Sequence, residues 1–437
     1  MDERLILQVL ADQREELKLN QDVPLCSRQE EKLFEWDSNM AQVVIGVRRS
    51  GKSTLCHMAL RCRGVKYGYV NFDDDRLATL KVEDLNIVLS CIYQLYGTDV
   101  KYLFLDEVQD VEGWHLFVNR LLRQSMHVVL TGSNAKLLSG ELATHLTGRY
   151  NEIRLFPFSY REYAKYSGID MIDITTKAEA ARKATLDKYL MEGGMPELMR
   201  IKNERTKRTY IEGLVETILR KDIAIRFKIR NIDGLRRITN HLINNSCQII
   251  NYPTLSAISG IKSENTVRKY VDYLAQAYLI QKVQKFSYKS KERIYNEKAY
   301  VVDTGFIANR ENFLSCTNIG WRLENVVYTE IRRRYLSEAE DVYYYKPDGR
   351  SKEVDFVICR QGQVVELIQV AYAIADNHTY EREMEALVLV GKKLNCERLT
   401  MVTLAASRDV EHGGKHIHIY NAVEWLNDVN EKMEVMY

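Results

Sequence analysis

Residues 41–54 read AQVVIGVRRSGKST, an apolar run followed at once by a loop rich in glycine and basic residues. Gly46, Gly51, Lys52 and Ser53 fill the spaced positions G-x-x-x-x-G-K-[ST] of a phosphate-binding loop. Glycines let several backbone N–H groups approach one phosphate chain, and the N-terminus of a following helix adds partial positive charge. The stretch therefore predicts a strand, a phosphate loop and a helix. A glycine-rich turn with a surface lysine is the alternative.

This loop predicts ATP and Mg²⁺ as cofactors. Lys52 is expected to reach the β- and γ-phosphates, and the hydroxyl of Ser53 is expected to ligate Mg²⁺. Arg48 and Arg49 are unusual inside such a loop, where they would face phosphate, a partner subunit or an acidic neighbour. The residues expected to contact the nucleotide are Gly46, Arg48, Arg49, Ser50, Gly51, Lys52, Ser53 and Thr54.

A second motif, KYLFLDEVQ at residues 101–109, ends an apolar run with two acids. A phosphate loop needs a partner strand that ends in an acid for the metal, preferably followed by a residue that orients the attacking water. We therefore assign Asp106 to the metal and Glu107 to the catalytic base. Solvation of a strand end is the alternative explanation of this acidic pair.

Polar residues after the next apolar run complete the expected site. Ser133 and Asn134 in HVVLTGSN could sense the γ-phosphate or position water, although both are also ordinary turn formers. Arg149 in LTGRY suits the stabilisation of transition-state charge on a phosphate, and a neighbouring subunit can deliver such an arginine. A structural or solvated arginine is the alternative. Delivery between subunits would imply a homo-oligomer.

The wider pattern predicts an α/β protein with several domains. Short β-rich runs alternate with helix-sized spacers between residues 41 and 156, which is typical of a parallel sheet covered on both faces. Later segments are first helical and charged, then a group of helices with a hairpin, then a helix followed by strands. The predicted domains are a P-loop ATPase domain at 1–157, a helical region at 158–235, a winged-helix domain at 236–303 and a C-terminal α/β domain at 304–437.

Composition excludes several classes of protein. The net charge of +2 neither demands nor excludes a nucleic-acid partner, so local charge must decide. No apolar run approaches the roughly 18 residues of a membrane span, and the first residues lack the pattern of a signal peptide. We therefore expect a cytoplasmic protein without membrane contact. The 8 cysteines show no metal-binding spacing, so reduced thiols are expected.

Residues 253–286 have helix-turn-helix character. A helix follows Pro253, a turn lies at Gly260, Ser263 is placed to cap a second helix, and a basic hairpin or wing follows through LIQKVQKF and RIYN. The apolar residues of the second helix repeat with the spacing of a buried face. The outward residues, which are the candidates for DNA contact, are Asn265, Arg268 and Lys269.

Local charge favours contact with an anion in this part of the chain. Residues 200–237 hold 12 Lys and Arg against 5 Asp and Glu, and residues 262–293 hold 8 against 3. Such patches bind a phosphate backbone in a salt-dependent manner, so double-stranded DNA is a candidate partner. The alternative is that the winged helix packs against the ATPase domain and that its charges are solvated.

From about residue 20 to 430 the sequence resembles the AAA-type prokaryotic ATPases that carry a C-terminal domain of unknown function with a restriction-endonuclease-like fold. The motifs that carry the resemblance are GVRRSGKST, YVNFDDDRL, FLDEVQDVEGW, LTGSNAKLLSGELATHLTGRY, FPFSYREY, GGMPE, LRKDI and KEVDFV. In that family Asp106 and Glu107 would be the metal ligand and the base, the Ser133 and Asn134 position the sensor, and Arg149 the arginine finger. The resemblance does not fix a substrate.

The nuclease site that such a C-terminal fold implies is degenerate in this sequence. Glu324 and Asp355 match the helix glutamate and the strand aspartate, but Gln369 and Ala371 stand where the pattern requires glutamate and lysine. An amide is a poor ligand for a hard cation, and alanine cannot stabilise charge. Glu366 points to the opposite face of its strand, and Lys352 would need help from a loop. We therefore expect a role in recognition or assembly.

Three functions remain open from the sequence. The first is an ATP-binding and ATP-hydrolysing switch whose nucleotide state changes how the later domains engage a partner. The second is a DNA-binding winged-helix regulator whose affinity is tuned by ATP. The third is an ATP-gated, Mg²⁺-dependent nuclease, which the degenerate site disfavours.

Overall fold

The structure is a computed structural model. It describes residues 1–19, 25–132, 146, 148–288, 296–308, 319–334, 340–347, 353–372 and 377–428. The chain divides into two compact units. Met1–Phe156 and Gln276–Tyr278 form the first unit, and Pro157–Ala275 with Leu279–Tyr437 form the second. Each unit is described by itself.

Five strands of the first unit, among the residues described, form a parallel sheet in the order β2-β3-β4-β1-β5. They are β1 Ala41–Ile45, β2 Tyr67–Asn71, β3 Tyr102–Asp106, β4 His127–Gly132 and β5 Tyr150–Arg154. These strands fall within residues 41–156, where short β-rich runs predicted a parallel sheet, so the parallel α/β pattern is confirmed. The carboxyl ends of β1, β3 and β4 meet at one edge, where open parallel sheets bind ligands.

Helices cover this sheet. They are α1 Glu3–Leu19, α2 Lys52–Cys62, α3 Leu85–Tyr96 and α4 Trp114–Arg123. Helix α4 shows why they form: its buried residues Trp114, Phe117, Val118 and Leu121 follow the spacing of one helical face. Leu55 and Leu60 of α2 pack with Val44, Phe104 and Val129 of the sheet. This packing holds α2 against the sheet, so that α2 begins just after the loop that follows β1.

The second unit begins with helices, as predicted for this part of the chain, and more helices follow among its strands. They are α5 Tyr160–Tyr166, α6 Thr176–Glu192, α7 Glu204–Thr217, α8 Ile225–Phe227, α9 Ile232–Asn244, α10 Tyr252–Ser259, α11 Glu264–Gln276, α12 Gly305–Ala308, α13 Ile319–Arg334, α14 Asn377–Leu394 and α15 Ala422–Asn427. A π-helical segment, Ile218–Ala224, joins α7 to α8. No helix within the described ranges is long and apolar enough to cross a membrane.

Residues 232–301 are arranged as helix, strand, helix, helix and hairpin. Strand β6 Gln248–Ile249 and strand β7 Ile280–Lys285 both pair antiparallel with β8 Glu297–Val301. The hydroxyl of Ser263 accepts the backbone N–H of Thr266 at 3.4 Å, where the sequence predicted a helix cap. The second hairpin strand begins at Glu297, later than the RIYN stretch that predicted it. Residues 289–295 lie outside the described part of the chain.

One mixed sheet runs through the second unit. Its remaining strands are β9 Glu340–Tyr345, β10 Val354–Arg360, β11 Gln363–Ala371, β12 Leu399–Thr403, β13 Arg408–His412 and β14 Lys415–Asn421. The order over the described strands is β13-β14-β12-β11-β10-β9-β7-β8-β6, because β7 pairs in parallel with β9. The hairpin of the 236–303 segment and the strands of the 304–437 segment therefore share one sheet. The predicted domain boundaries stay predictions.

Candidate nucleotide-binding site

The phosphate loop lies between β1 and α2, as the sequence predicted. A Cβ on Gly46 would lie 2.2 Å from the carbonyl oxygen of Leu155, so a larger residue would displace the neighbouring backbone. Gly51 directly precedes α2 with φ of +97°, a conformation that L-residues rarely adopt. These two positions explain why the loop needs glycine. Its backbone then turns tightly enough to present N–H groups to a phosphate chain.

Lys52 begins α2 and folds back over the loop. Its ammonium donates to the carbonyl oxygens of Gly46 and Val47, both at 3.2 Å, and the residue is buried. The fully buried hydroxyl of Ser50 has no hydrogen-bond partner among the residues that the structure describes. The loop therefore encloses the Lys52 ammonium and the buried Ser50 hydroxyl, a cation and a hydrogen-bond donor that suit an anionic ligand.

Arg28 supports the loop from the preceding segment, a role that the sequence did not reveal. Its guanidinium donates to the carbonyl oxygens of Phe156 at 2.7 Å and Ser50 at 3.4 Å. The side chain is buried beside Glu30. Because Arg28 stands outside any motif or periodic pattern, only the folded chain identifies it.

Asp106 ends β3 beside the loop and lies near the residue predicted to share its metal. The Thr131 hydroxyl donates to Oδ1 of Asp106, the Tyr69 hydroxyl lies 3.4 Å from Oδ2, and the Ser53 hydroxyl lies near enough to lower the pKa of the carboxyl. Burial and the nearby Glu107 charge raise the pKa of Asp106 to about 6, against the effects of Thr131, Ser53 and Lys52. Thr131 lies on β4, two residues before the predicted sensor.

Glu107 follows Asp106 in a left-handed conformation, with φ of +53°. Its backbone N–H donates to the Thr131 hydroxyl at 3.2 Å. The amide nitrogen of Gln109 donates to Oε2 of Glu107, while Oε1 of Gln109 is buried without a hydrogen-bond partner in the described chain. The turn Val108–Asp110 makes this contact possible by folding the chain back. Gln109 was not identified from the sequence.

The structure places Arg149 far from the phosphate loop of its own chain. Its carbonyl oxygen accepts the N–H of Ala41, the first residue of β1, whereas the loop follows the last. Five residues of strand separate the two ends, about 16 Å at 3.3 Å per residue. Arg149 is exposed and borders a surface cavity of ≈ 610 Å³. Other residues that line the cavity are Val82, Asn86, Leu116, Phe117, Asn119, Arg120 and Arg123.

The remaining predicted residues of the site differ in their exposure to solvent. Arg48 is half-buried in the loop, while Arg49 and Thr54 are exposed. Ser133 and Asn134 lie outside the described residues.

Comparison with known proteins agrees with this geometry. Residues 38–164 match the family described as an AAA domain, residues 183–315 match a domain of unknown function (DUF8612), and residues 320–420 match a domain of unknown function (DUF4143). An uncharacterized protein of Methanocaldococcus jannaschii is 34% identical over 376 residues, which covers 83% of this chain and 81% of that protein. The chain belongs to the AAA-type prokaryotic ATPases. Its first unit is accordingly a nucleotide-binding ATPase domain.

Two further similarities extend the comparison. An uncharacterized protein of Haemophilus influenzae is 31% identical over 408 residues and covers 89% of this ATPase and 95% of its own length. A solved Walker-type ATPase of Pyrococcus abyssi is 15% identical, with a TM-score of 0.41, over 65% of this chain and 95% of that chain. The predicted α/β architecture, with a parallel-sheet phosphate-loop domain, a helical middle and a C-terminal α/β part, is confirmed, and the C-terminal sheet is mixed.

The candidate DNA-contact residues lie on helix α11 of the ATPase. Asn265 and Lys269 are exposed. Arg268 is half-buried, and its guanidinium lies 3.8 Å from the ring centroid of Tyr252. The Tyr252 hydroxyl donates to Glu297 at 3.0 Å. Arg268 therefore packs within the second unit, whereas Asn265 and Lys269 face outward.

The residues of the degenerate nuclease site lie together in the second unit. Asp355 on β10 stands opposite Gln369 on β11, and the backbone N–H of Asp355 donates to the Gln369 side chain at 3.1 Å. Glu324 on α13 contacts Lys298 of β8 at 3.3 Å. Ala371 is buried on β11, and Lys352 lies outside the described residues. The sequence did not identify Lys298 as part of this cluster.

Proposed function

We propose that the protein binds ATP with Mg²⁺ at the phosphate loop, hydrolyses it, and uses the nucleotide state to change how its later segments engage a partner. The observation that carries this proposal is the convergence of Lys52, Ser53 and Asp106 at one edge of a parallel sheet. Two motifs thus meet, and together they supply the cation, the hydroxyl and the carboxylate that phosphate chemistry needs.

The residues present fit a magnesium site. The Ser53 hydroxyl and the Asp106 carboxylate are neighbouring hard oxygen donors, the ligand type that Mg²⁺ prefers. Bound there, Mg²⁺ would neutralise charge on the β- and γ-phosphates. Lys52 would exchange its two carbonyl acceptors for phosphate oxygens, and the N–H groups of the loop would bind the remaining oxygens.

Glu107 is suited to orient water for attack on the γ-phosphate. Its backbone is fixed by Thr131 and its carboxylate by Gln109, so one carboxylate oxygen has a defined position. The carboxylate accepts a hydrogen bond from the water and takes its proton as the new P–O bond forms and the bond to the leaving ADP oxygen breaks. Gln109 is a positioning residue in this scheme.

We further propose that Arg149 acts on the nucleotide of a second copy of the chain. The length of β1 keeps this arginine from its own phosphate loop, which supports delivery between subunits in a homo-oligomer. Arg120 and Arg123 border the same cavity, so this face offers a cluster of cations to an anionic neighbour.

DNA contact is a second candidate function. The order helix, strand, helix, helix and hairpin in residues 232–301 supports a winged helix, and Asn265 and Lys269 face outward from its third helix. Loss of salt-dependent DNA binding in Asn265→Ala/Lys269→Ala, with ATP turnover intact, is the expected result. A cytoplasmic location stays a prediction.

The proposal is tested by ATP turnover with and without double-stranded DNA, together with the particle mass in ATP and in ADP. We expect turnover that requires Mg²⁺ and a mass that changes with the nucleotide. Absence of turnover under every condition, with DNA present and at high protein concentration, would contradict hydrolysis. Unchanged turnover in Arg149→Ala would contradict the role proposed for that arginine.

A further inference from the structure

Lys298 is a buried lysine enclosed by acids of the second unit. It is 4% exposed, and its ammonium lies 3.3 Å from Oε1 of Glu324 and forms an ion pair with Glu353. The ring of Tyr344 lies 5.3 Å from the same ammonium, within range of a cation–π contact. The Tyr300 hydroxyl donates to Glu324 at 2.8 Å. The charge of Lys298 is therefore matched by carboxylates and an aromatic face.

Two of the acids around Lys298, Glu324 and Asp355, stand at positions that a nuclease of this fold would use for metal. Glu353 directly precedes β10, and its charge, like theirs, acts on Lys298. Burial, followed by the charge of Glu324, raises the pKa of Asp355 well above its ordinary value. Burial alone would lower the pKa of Lys298, but the charges of Glu324, Asp355 and Glu353 outweigh it and raise that pKa. The lysine thus stays charged.

The side-chain amide of Gln369 fits the residues around it. Its amide nitrogen donates to Oε2 of Glu383 at 2.7 Å, and its amide oxygen accepts the N–H of Asp355. A carboxylate at position 369 would lose the donor and face Glu383 with like charge. The amide therefore matches its surroundings better than the glutamate of a nuclease would.

We infer that the Lys298 ammonium supplies the cation of this carboxylate cluster from within the chain, so that the cluster holds no divalent metal and cleaves no phosphodiester. A divalent ion such as Mg²⁺ needs about six oxygen ligands at roughly 2.1 Å, several of them water. The Lys298 ammonium lies among the carboxylate oxygens of Glu324 and Glu353 and donates to them directly. Lys298 also joins β8 to α13 through Glu324 and to the start of β10 through Glu353.

Manganese binding tests this inference in the full-length protein without nucleotide. Mn²⁺ is titrated into wild type, Glu324→Gln, Lys298→Met and Lys298→Met/Glu324→Gln, and bound Mn²⁺ is counted by electron paramagnetic resonance. We expect wild type and Glu324→Gln to bind the same number of ions. Lys298→Met should bind one more, because its carboxylates lose their internal cation. The double variant should lose that extra ion.

Two results would overturn the inference. One is a Mn²⁺ ion in wild type that Glu324→Gln removes, especially with Mn²⁺-dependent cleavage of supercoiled DNA that the same substitution abolishes. The other is a folded Lys298→Met protein that binds no additional ion. If Lys298→Met fails to fold with or without Mn²⁺, the pair of wild type and Glu324→Gln still decides the question, because it needs no change at Lys298.

Discussion

Two buried lysines of this ATPase stand beside acids and have opposite relations to their surroundings. Lys52 donates to two neutral carbonyl oxygens of the phosphate loop, whereas Lys298 pairs with Glu324 and Glu353. An ammonium bound by carbonyls gains from exchanging them for phosphate, since charge-assisted bonds are roughly twice as strong as neutral ones. An ammonium already paired with carboxylates has nothing to gain from another anion. The first site is built for a ligand, and the second is complete without one.

The largest effect is expected in turnover at the first site. Glu107→Gln should lower kcat by about 10²–10⁴-fold, the usual contribution of a positioned base, while ATP binding persists. A phosphate-release assay and an ATP titration of the same protein measure the two quantities. The matched control is Glu112→Gln, an exposed acid nearby, which should leave both unchanged. Equal turnover in wild type and Glu107→Gln would remove Glu107 from the role of base.

Stability should separate the two lysines. Lys298→Met is expected to destabilise the second unit by about 3–5 kcal/mol, because it leaves buried carboxylates without their counterion. Lys52→Met should cost the first unit less, about 1–2 kcal/mol without nucleotide, because it removes a donor to two neutral carbonyls and a charge that lowers the pKa of Asp106. Urea unfolding of both variants without ATP provides the measurement. Similar losses in the two variants would show that the two environments do not differ in the way described.

A smaller effect depends on pH at the first site. The folded pKa of Asp106 is about 6, raised from 3.8, so its cost to stability is absent below the unfolded pKa and complete once pH exceeds the folded value. Asp106→Asn should therefore stabilise the nucleotide-free protein by about 2–3 kcal/mol at pH 8, at 1.36 kcal/mol for each pKa unit. At pH 4 the gain should disappear. Urea midpoints at both values test this, and a gain independent of pH would contradict it.

The smallest effect concerns Gln109. Gln109→Ala should lower kcat by about 10-fold and leave the KM for ATP unchanged, because it loosens the Glu107 carboxylate without touching the nucleotide. In the Glu107→Gln background the same substitution should cause little further loss. Steady-state kinetics of the two single variants and the double variant measure this coupling. Fully additive losses would mean that Gln109 acts on the reaction independently of Glu107.

Local patterns were sufficient to predict the first site from the sequence. The strand, loop and helix around Gly46 and Lys52 are contiguous, and the acid-terminated run at Asp106 is recognisable by itself. The carboxyl ends of parallel strands must meet at one edge, so the proximity of Ser53 to Asp106 follows once both runs are identified as strands. Thr131 and Gln109 were missed because a threonine in a strand and a glutamine in a turn carry no distinctive pattern.

The sequence identified Glu324, Asp355 and Gln369 of the second site but not Lys298, which comes from a distant strand. Lys298 precedes Glu324 by 26 positions, on a hairpin strand that the sequence placed too early. Its position depends on the parallel pairing of β7 with β9, which no local period encodes. The sequence around Ala371, on β11, therefore gives no sign of a lysine that lies on β8.

Direct titration of ATP and Mg²⁺ into the intact chain tests the central claim, that the loop at Lys52 binds a nucleotide. Calorimetry of wild type and Lys52→Ala makes the measurement, with folding of both checked by circular dichroism. We expect saturable binding of one ATP per chain in wild type and its loss in Lys52→Ala. A folded wild-type chain without measurable affinity for ATP and Mg²⁺, or equal binding by the two proteins, would contradict the account.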